Sequence, residues 1–432
     1  MIRTEELFPK KHFDVIVSGG GVAGVAAAVQ AAREGKSVLL LEKSQKLGGL
    51  ATLGLINLFV PMCNGRGKQI IKGMAEEFLR LSIKYGYDFG LSPDYVNGEI
   101  PKEKLEAYAK EGKKPPRYMV RFSAEIFALA LTELCVNEGL TLMFDSILST
   151  PVYEEKEGRT LVRGVILETK SGREYYTASL FVDATGDGDL MYRAGIPTVE
   201  RGNFHSYSAF MITLDTCRRA LECGHISRAV TRATGGKADL YGNRHPADIP
   251  LYFGTTSEEV NRYLIKNQLE LLDGIKGLDR KTMDILTLPG MAQFRTTRRV
   301  VGEYTLQLED VFQHFEDSVG AICDFDRRDF LYEVPYRTLY NKKAINVITC
   351  GRSAAGEGYA WDVLRVIPPA ILTGQAAGFA CALALDEGHG DIAAVNVTTL
   401  QAKMASAGNA IHFDDADVPA VVSDVHEFND QN

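Results

Sequence analysis

The sequence predicts an α/β protein: a domain with a central parallel sheet and a β-meander, interrupted by an inserted α+β domain. Three observations carry this. An apolar strand, a glycine-rich turn and a small-residue helix follow one another from Asp14 to Gln30, DVIVSGGGVAGVAAAVQ. Short strands separated by glycine turns run from Leu140 to Val182. After Glu333 a strand, a glycine loop and an apolar helix return, so the chain leaves its first domain and comes back to it.

Asp14–Ser18 reads as a short buried strand, Val22–Glu34 as a helix ended by Gly35, and Ser37–Leu41 as the next strand. Strand, helix and strand in so short a span make a parallel βαβ unit. Residues 68–140 read mostly as helix: Ile70–Tyr85 has helical spacing, and Ser123–Glu138 is amphipathic with Ser123 as N-cap. Between them Asn97–Arg117, rich in Lys and Glu with Pro115-Pro116, reads as an exposed insertion. Leu140–Phe144, Val152–Glu155, Leu161–Glu168 and Glu174–Val182 read as strands, with turns at Glu157-Gly158 and Ser171-Gly172. Residues 200–330 are mixed and irregular, and Ile345–Cys350 is again a strand. The expected division is 1–66, 120–200 and 333–395 as one discontinuous domain, 67–119 as a helical insertion, 201–332 as a substrate or cap domain, and 396–432 as an extension. Its last twenty residues, with six acids, read as a loosely held tail.

Composition narrows the function. A chain of 432 residues holds two or three domains. The net charge of −8 disfavours nucleic acid and anionic membranes as partners. The seven cysteines contain no CxxC, which removes support for zinc-ribbon and iron–sulfur readings. Their odd number and wide spacing fit thiols in a reducing, cytoplasmic compartment. Three long stretches lack charge, Val15–Ala32, Leu47–Gly65 and Val366–Leu385, but their glycines and prolines argue against a membrane span. The first is not a signal peptide, because Asp14 interrupts its approach. His225, His245 and His314 have no ligand spacing, so no metal site is expected.

Gly19-Gly20-Gly21-Val22-Ala23-Gly24 satisfies G-x-G-x-x-G. Gly19 allows the tight turn, Gly21 admits a pyrophosphate to the backbone, and Gly24 lets helix and strand pack closely. The helix N-terminus offers N–H groups and a positive dipole end to phosphates. Glu42, followed by Lys43, ends the second strand, where an acid holds a ribose diol. The turn alone does not distinguish NAD from FAD.

Further segments do. Lys46-Leu47-Gly48-Gly49-Leu50-Ala51-Thr52, Phe181-Val182-Asp183-Ala184-Thr185-Gly186-Asp187, Val347–Arg352 (VITCGR), Pro368-Pro369-Ala370-Ile371 and Gly374–Gly378 (GQAAG) resemble the glutathione-reductase-type FAD superfamily. With Arg298–Tyr304 (RRVVGEY) and Val334-Pro335-Tyr336-Arg337, the sequence is most similar to the FAD-dependent oxidoreductase family, relatives of the fumarate reductase and succinate dehydrogenase flavoproteins. The resemblance implies a Rossmann-like FAD-binding domain. The cofactor would be held by Gly19, Gly21, Val22, Ala23, Gly24, Glu42, Lys43, Gly49, Ala51, Ile147, Ala184, Thr185, Gly186, Gly351, Arg352, Pro369, Ala370 and Ile371, with Thr52 near the flavin N5 edge. No histidine-containing stretch of the kind used for covalent attachment precedes Gly48-Gly49, which implies non-covalent FAD.

No second G-x-G-x-x-G follows a strand, so a dedicated NAD(P)H domain is not expected and an electron-carrier partner would take its place. No CxxxxC follows Gly49, which argues against disulfide reduction. Substrate-binding candidates lie in Gln293–Arg299, where Arg295, Arg298 and Arg299 form a basic cluster. Guanidinium groups clamp carboxylates through paired hydrogen bonds; a structurally paired face with Glu303 is the alternative. Arg352 and Arg365 stand where the resemblance places the flavin and would meet pyrophosphate or a substrate anion. Trp361 would stack near the ring or pack. His205 is the best-placed histidine for acid–base work, with a structural role as the alternative. The expected function is hydride transfer between flavin N5 and a small, anionic organic metabolite. Two alternatives remain: an FAD-containing non-redox subunit for RNA modification or partner binding, suggested by the Lys-rich segment 102–121, and a flavin monooxygenase. No feature of the sequence fixes an oligomeric state.

Overall fold

The computed structural model describes residues 6–422 and 424–427. β1 (Pro9–Ser18), α1 (Val22–Arg33) and β2 (Val38–Leu41) form the amino-terminal crossover. Val15, Ile16 and Val17 are fully buried, as a strand covered on both faces requires. β1 starts earlier than its apolar run, because Pro9 to Phe13 pair with Tyr175 to Ala178. A two-strand pair, β3 (Leu58–Phe59) and β4 (Val120–Arg121), brackets α2 (Met74–Lys84) and α3 (Lys102–Lys110). α4 (Ala124–Asn137) leads to β5 (Thr141–Met143) and to the meander of β6 (Ile147–Lys156), β7 (Arg159–Thr169) and β8 (Gly172–Asp183). α5 (Asp189–Arg193) and β9 (Thr198–Glu200) lead into the cap. The cap contains β10 (Ser206–Thr213), α6 (Leu214–Cys223), β11 (Val230–Lys237), α7 (Ser257–Lys276) and β12 (Met283–Thr287). β13 (Arg298–Val300) returns by pairing with β9, and β14 (Ser318–Cys323), β15 (Leu331–Pro335), β16 (Val347–Thr349), α8 (Gly358–Leu364), α9 (Ile367–Asp386) and α10 (Val397–Ser406) complete the chain.

The main sheet has the order β5-β2-β1-β8-β7-β6, with β16 also beside β8. β2, β1, β8, β16 and β5 run parallel; β6, β7 and β8 form the antiparallel meander. The early part of β8 pairs with β7 and its last three residues with β16. Asn346 closes the junction, bonding Val162 through both its N–H and carbonyl and Ser179 through its carbonyl. Registers Ser18↔Leu41, Ser18↔Asp183 and Thr349↔Asp183 align the carboxyl ends of four strands in one row. In open α/β sheets, ligands bind outside such a row.

α9 lies across α1 in near-backbone contact. A Cβ on Gly374 would sit 2.2 Å from the Ala23 carbonyl oxygen, and one on Gly378 2.6 Å from that of Ala27. The small-residue composition of α1 is therefore a packing requirement. Among the described residues α9 is the one helix long and apolar enough to cross a membrane, and its apolar window is 100% buried within the protein. All seven cysteines are free thiols.

Packing divides the chain differently from its sequence texture. α2 is no separate insertion: Met74, Ala75, Phe78 and Leu79 belong to the main core, whereas α3 buries nothing. The cap has its own core of Tyr207, Ala209, Tyr252, Tyr263, Leu271 and Phe294, but Leu306, Val319 and Ile322 already pack in the main one. Leu400, Met404 and Phe413 also join the main core, so residues after 395 are not an appendage. Ser123 stands at the N-cap of α4 without a side-chain capping bond. The acidic tail is not loosely held over its described part. Asp417 pairs with Lys68 at 2.7 Å, Asp424 with Arg327 at 3.1 Å, and Glu427 with Arg328 at 2.6 Å and buried Arg117 at 3.3 Å. Its charge is complementary to basic residues dispersed along the sequence, which composition alone does not reveal.

Candidate active site

A cleft of about 620 Å³ opens along the aligned strand ends, with Ser18, Leu41, Ala184 and Cys350 in its wall. This is within the roughly 300–1,000 Å³ usual for ligand sites. Its floor is the glycine turn. Gly19 has φ +111, and a Cβ there would meet the Ala184 carbonyl oxygen at 2.3 Å. A Cβ on Gly24 would meet the Gly19 carbonyl oxygen at 1.9 Å, whereas one on Gly21 would meet nothing within 4 Å. Gly24 therefore serves packing, and Gly21 leaves space for a ligand to approach the backbone. α1 begins with no side-chain cap and no acid in its first turn, so its free N–H groups and dipole have no internal anion. The hydroxyl of Ser18, buried in the cleft wall, has no hydrogen-bond partner among the described residues. Glu42 is 7% exposed; its Oε2 accepts from Gly20 N at 2.9 Å and its Oε1 from Ser44 N at 2.7 Å. An orphaned hydroxyl, an uncapped helix, a side-chain-free approach and a fixed carboxylate fit the pyrophosphate and ribose of a dinucleotide.

The N-terminus of α9 approaches the same cleft. Val366 is its N-cap without a side-chain bond, and its first turn carries Pro368 and Pro369, where missing N–H groups break no helical bond. Ile367, Ala370 and Gly351 line the cleft beside it. The cap contributes Gly254, Val260, Leu264, Met291 and Phe294, an apolar wall facing the glycine turn.

Most sequence-predicted cofactor positions line this cleft: Gly19, Gly21, Val22, Ala23, Glu42, Lys43, Gly49, Ala51, Ile147, Ala184, Thr185, Gly186, Gly351, Arg352 and Ala370. Four do not. Gly24 is spent on helix packing. Thr52 donates its hydroxyl to the Leu47 carbonyl at 2.6 Å, closing its own turn. Pro369 and Ile371 face the core. Ser18, Asp187 and Arg193 also line the cleft. Only Asp187 had a visible signal, its place in DATGDGD. It bonds Arg352 at 2.7 Å and Thr297 at 2.7 Å. Burial opposes its ionisation, yet Arg352 and Lys43 hold it below the usual carboxylate range.

The catalytic candidates separate. Arg298 is 3% exposed, pairs with Glu200 at 3.1 Å and Asp189 at 3.4 Å, and lies 3.8 Å over the Tyr192 ring. Arg299 pairs with Glu357 and lies over Trp361. Both are structural, because β13 places them among acids of β9, of α5 and at the N-cap of α8 rather than in the cleft. Trp361 packs, donating its indole N–H to the Arg352 carbonyl at 2.8 Å. His205 is 1% exposed inside the cap, with Glu270 at 2.7 Å and Asn267 at 3.3 Å; it does not reach the cleft. Arg365 does. It binds Asp362 at 2.8 and 2.7 Å, and Arg201 takes the other oxygen of that carboxylate at 2.9 Å. Arg295, directly after Phe294 of the cleft wall, donates to the Asp239 carbonyl at 2.6 Å and has no carboxylate partner among the described residues. Burial, and then the charge of Arg365, pull its pKa down to about 10.

The family described as "FAD dependent oxidoreductase" matches residues 14–222 and 227–404. Among curated proteins, the chain is 47% identical over 45 residues to "4-oxocyclohexanecarboxylate 2-dehydrogenase" of Sinomonas cyclohexanicum, covering 10% of this chain and 8% of that protein. It is 56% identical over 39 residues to "NADH:fumarate oxidoreductase" of Klebsiella pneumoniae (strain 342), covering 9% and 4%. The chain thus spans under a tenth of the length of these curated relatives. Among solved structures, a "geranylgeranyl bacteriochlorophyll reductase-like" protein from Thermoplasma acidophilum aligns over 92% of this chain and 83% of its own, with 14% identity and TM-score 0.44. The family match extends over most of the sequence, through the glycine turn, the cap and the closing helix: the chain belongs to the FAD-dependent oxidoreductase family, and FAD is its cofactor.

Proposed function

We propose that this protein oxidises or reduces a small organic anion held on the cap side of the cleft by Arg365 and Arg295. FAD, when bound, supplies transfer of a hydride equivalent at N5. The observation that carries the reading is a charge imbalance: Arg201, Arg295 and Arg365 gather around one carboxylate, Asp362. Arg201 is half-exposed, but Arg295 and Arg365 are largely enclosed, and enclosed guanidinium groups in excess of their acids favour an anion. The apolar cap residues Val260, Leu264 and Met291 cover the substrate's hydrocarbon part and exclude water. With His205 turned away inside the cap, Arg295 remains protonated at neutral pH and serves the anion as a fixed positive charge.

In the Lys-rich segment Lys104 pairs with Asp94, Lys113 with Glu111 and Lys114 with Glu427, which offsets part of the positive charge an RNA would meet. The test is photoreduction of the FAD-loaded protein, then anaerobic titration with small mono- and dicarboxylic acids and their unsaturated or keto counterparts. Reoxidation of the reduced flavin, or bleaching of the oxidised one, by one class of acid is expected. A flavin that no acid alters in either direction overturns the reading. Oxygen consumption driven by an external reductant would instead favour monooxygenation.

A further inference from the structure

Away from the flavin cleft, two histidines distant in sequence meet on one buried carboxylate. Glu333, in the middle of β15, is 0% exposed. His314 Nδ1 lies 2.6 Å from its Oε1, His412 Nδ1 lies 2.9 Å from its Oε2, and Phe315 N–H donates to Oε2 at 2.8 Å. No lysine or arginine among the described residues pairs with Glu333. A buried carboxylate needs compensating charge, and here only the two imidazoles face it.

The hydrogen-bond bookkeeping at His314 is specific. Its Nε2 lies 3.0 Å from Asp415 Oδ1. A carboxylate only accepts, so Nε2 carries a proton. Nδ1 then meets a second carboxylate, and a neutral ring has only a lone pair to offer there. The pair is sound only with a cation between or on them. Metal-ligating histidines are oriented by a carboxylate on the far N–H, and here that leaves Nδ1 aimed at Glu333.

We propose that His314, His412 and Glu333 bind one divalent transition-metal ion of the zinc class. The three donor atoms lie within 4.8 Å of one another. Around a tetrahedral ion with bonds of about 2.0–2.1 Å, donors stand about 3.3 Å apart, so each imidazole draws back from the carboxylate oxygen it now meets at 2.6 or 2.9 Å to admit it. Two imidazoles and one carboxylate suit zinc, iron or nickel rather than magnesium or calcium. Both histidines are half-exposed, with side-chain exposures of 42% and 47%, which gives the ion an entry path and a water as remaining ligand.

The surroundings are set without the ion. Phe413 stacks on the His314 ring at 4.4 Å, and Ser318 Oγ donates to the Ile411 carbonyl at 2.6 Å. The ion is a structural clip. It ties the segment after α10 to β15, directly ahead of the tail that carries Asp417, Asp424 and Glu427 to their basic partners. This inference is independent of the flavin chemistry.

FAD-loaded protein, stripped with a chelator, is dialysed against Zn2+, Co2+ or Mg2+ and measured for bound metal, melting temperature and flavin absorbance. About one Zn2+ per chain and a zinc-dependent rise in melting temperature are expected, with no response to Mg2+ and unchanged flavin content. Asp415→Asn should weaken zinc binding by about 10- to 100-fold, and His412→Gln by more. His389→Gln, at a surface histidine elsewhere, should match the wild type. Zinc well below one per chain, or zinc held as tightly by His412→Gln as by the wild type, overturns the site. The wild-type titration decides the question even if a variant fails to fold.

Discussion

Arg352 donates through Nη2 to Oδ1 of Asp187 at 2.7 Å, inside the cleft wall. Its Nη1 reaches Thr297 Oγ1 at 3.1 Å and the Phe294 carbonyl at 3.3 Å. One arginine thus fastens the end of β16 to the loop after β8 and to the returning cap strand. The guanidinium that sequence offers for pyrophosphate or substrate is already engaged. On the proposed reading, charge for a substrate comes instead from Arg365 in the cleft wall and Arg295 behind it.

The two glycines of the turn should fail differently. Gly24→Ala forces a Cβ against the Gly19 carbonyl and should destabilise cofactor-free protein by about 1–3 kcal/mol. Gly21→Ala has φ −64 and open space; its cofactor-free stability should stay within about 0.5 kcal/mol of wild type. Its Cβ occupies the pyrophosphate approach, so FAD affinity should fall at least about tenfold, or about 1.4 kcal/mol. Thermal melts of stripped protein and flavin absorbance after desalting measure both. A Gly21→Ala protein that retains FAD fully would contradict the assignment.

Glu42→Gln keeps the shape but removes the charge that Gly20 N–H and Ser44 N–H now bond. Hydrogen bonds to charged groups contribute about 1.5–3 kcal/mol. FAD affinity should fall roughly 10- to 100-fold, read by fluorescence titration of stripped protein.

Arg295→Gln and Arg298→Gln separate substrate binding from architecture. The first removes a buried charge with no carboxylate partner. It should abolish the response of the flavin to substrate acids while leaving flavin content and melting temperature unchanged. The second breaks pairs with Glu200 and Asp189 and should cost about 2 kcal/mol. That is below the roughly 3–5 kcal/mol of a fully buried pair, because both acids reach solvent. Unchanged stability in Arg298→Gln would return that residue to the list of binding candidates.

Asp324 supplies a pH test. Burial pushes its carboxyl up from 3.8 to about 6, against bonds from Arg327 N–H, Tyr359 O–H and Asp326 N–H. The folded state binds this proton more tightly than the unfolded one. The associated stability is complete below about pH 4 and lost as pH rises through about 6. Asp324→Asn should flatten the stability profile between those values by on the order of 3 kcal/mol. Denaturant melts at closely spaced pH values measure it, and parallel profiles for variant and wild type would refute it.

The sequence by itself determined what is local. The crossover, the meander and the closing helix were legible because strand–turn–helix periodicity and glycine spacing act over a few residues, and the cofactor turn lies within one such unit. Even there, Gly24 and Thr52 show that a motif position can serve the backbone rather than the ligand. Tertiary structure alone decided what depends on distant partners. Arg295, Arg298 and Arg299 are neighbours in sequence, yet only the pairing of β13 with β9 sends two of them to acids and leaves the first facing Arg365. His205 was as exposed to chemistry as any histidine until the cap core closed around it. The acidic tail became a clasp, and His314 and His412 became partners, because folding brought Glu333, Arg117 and Arg328 to meet them. Charges and ligands act through space, and the order of residues along the chain does not record which of them will share it.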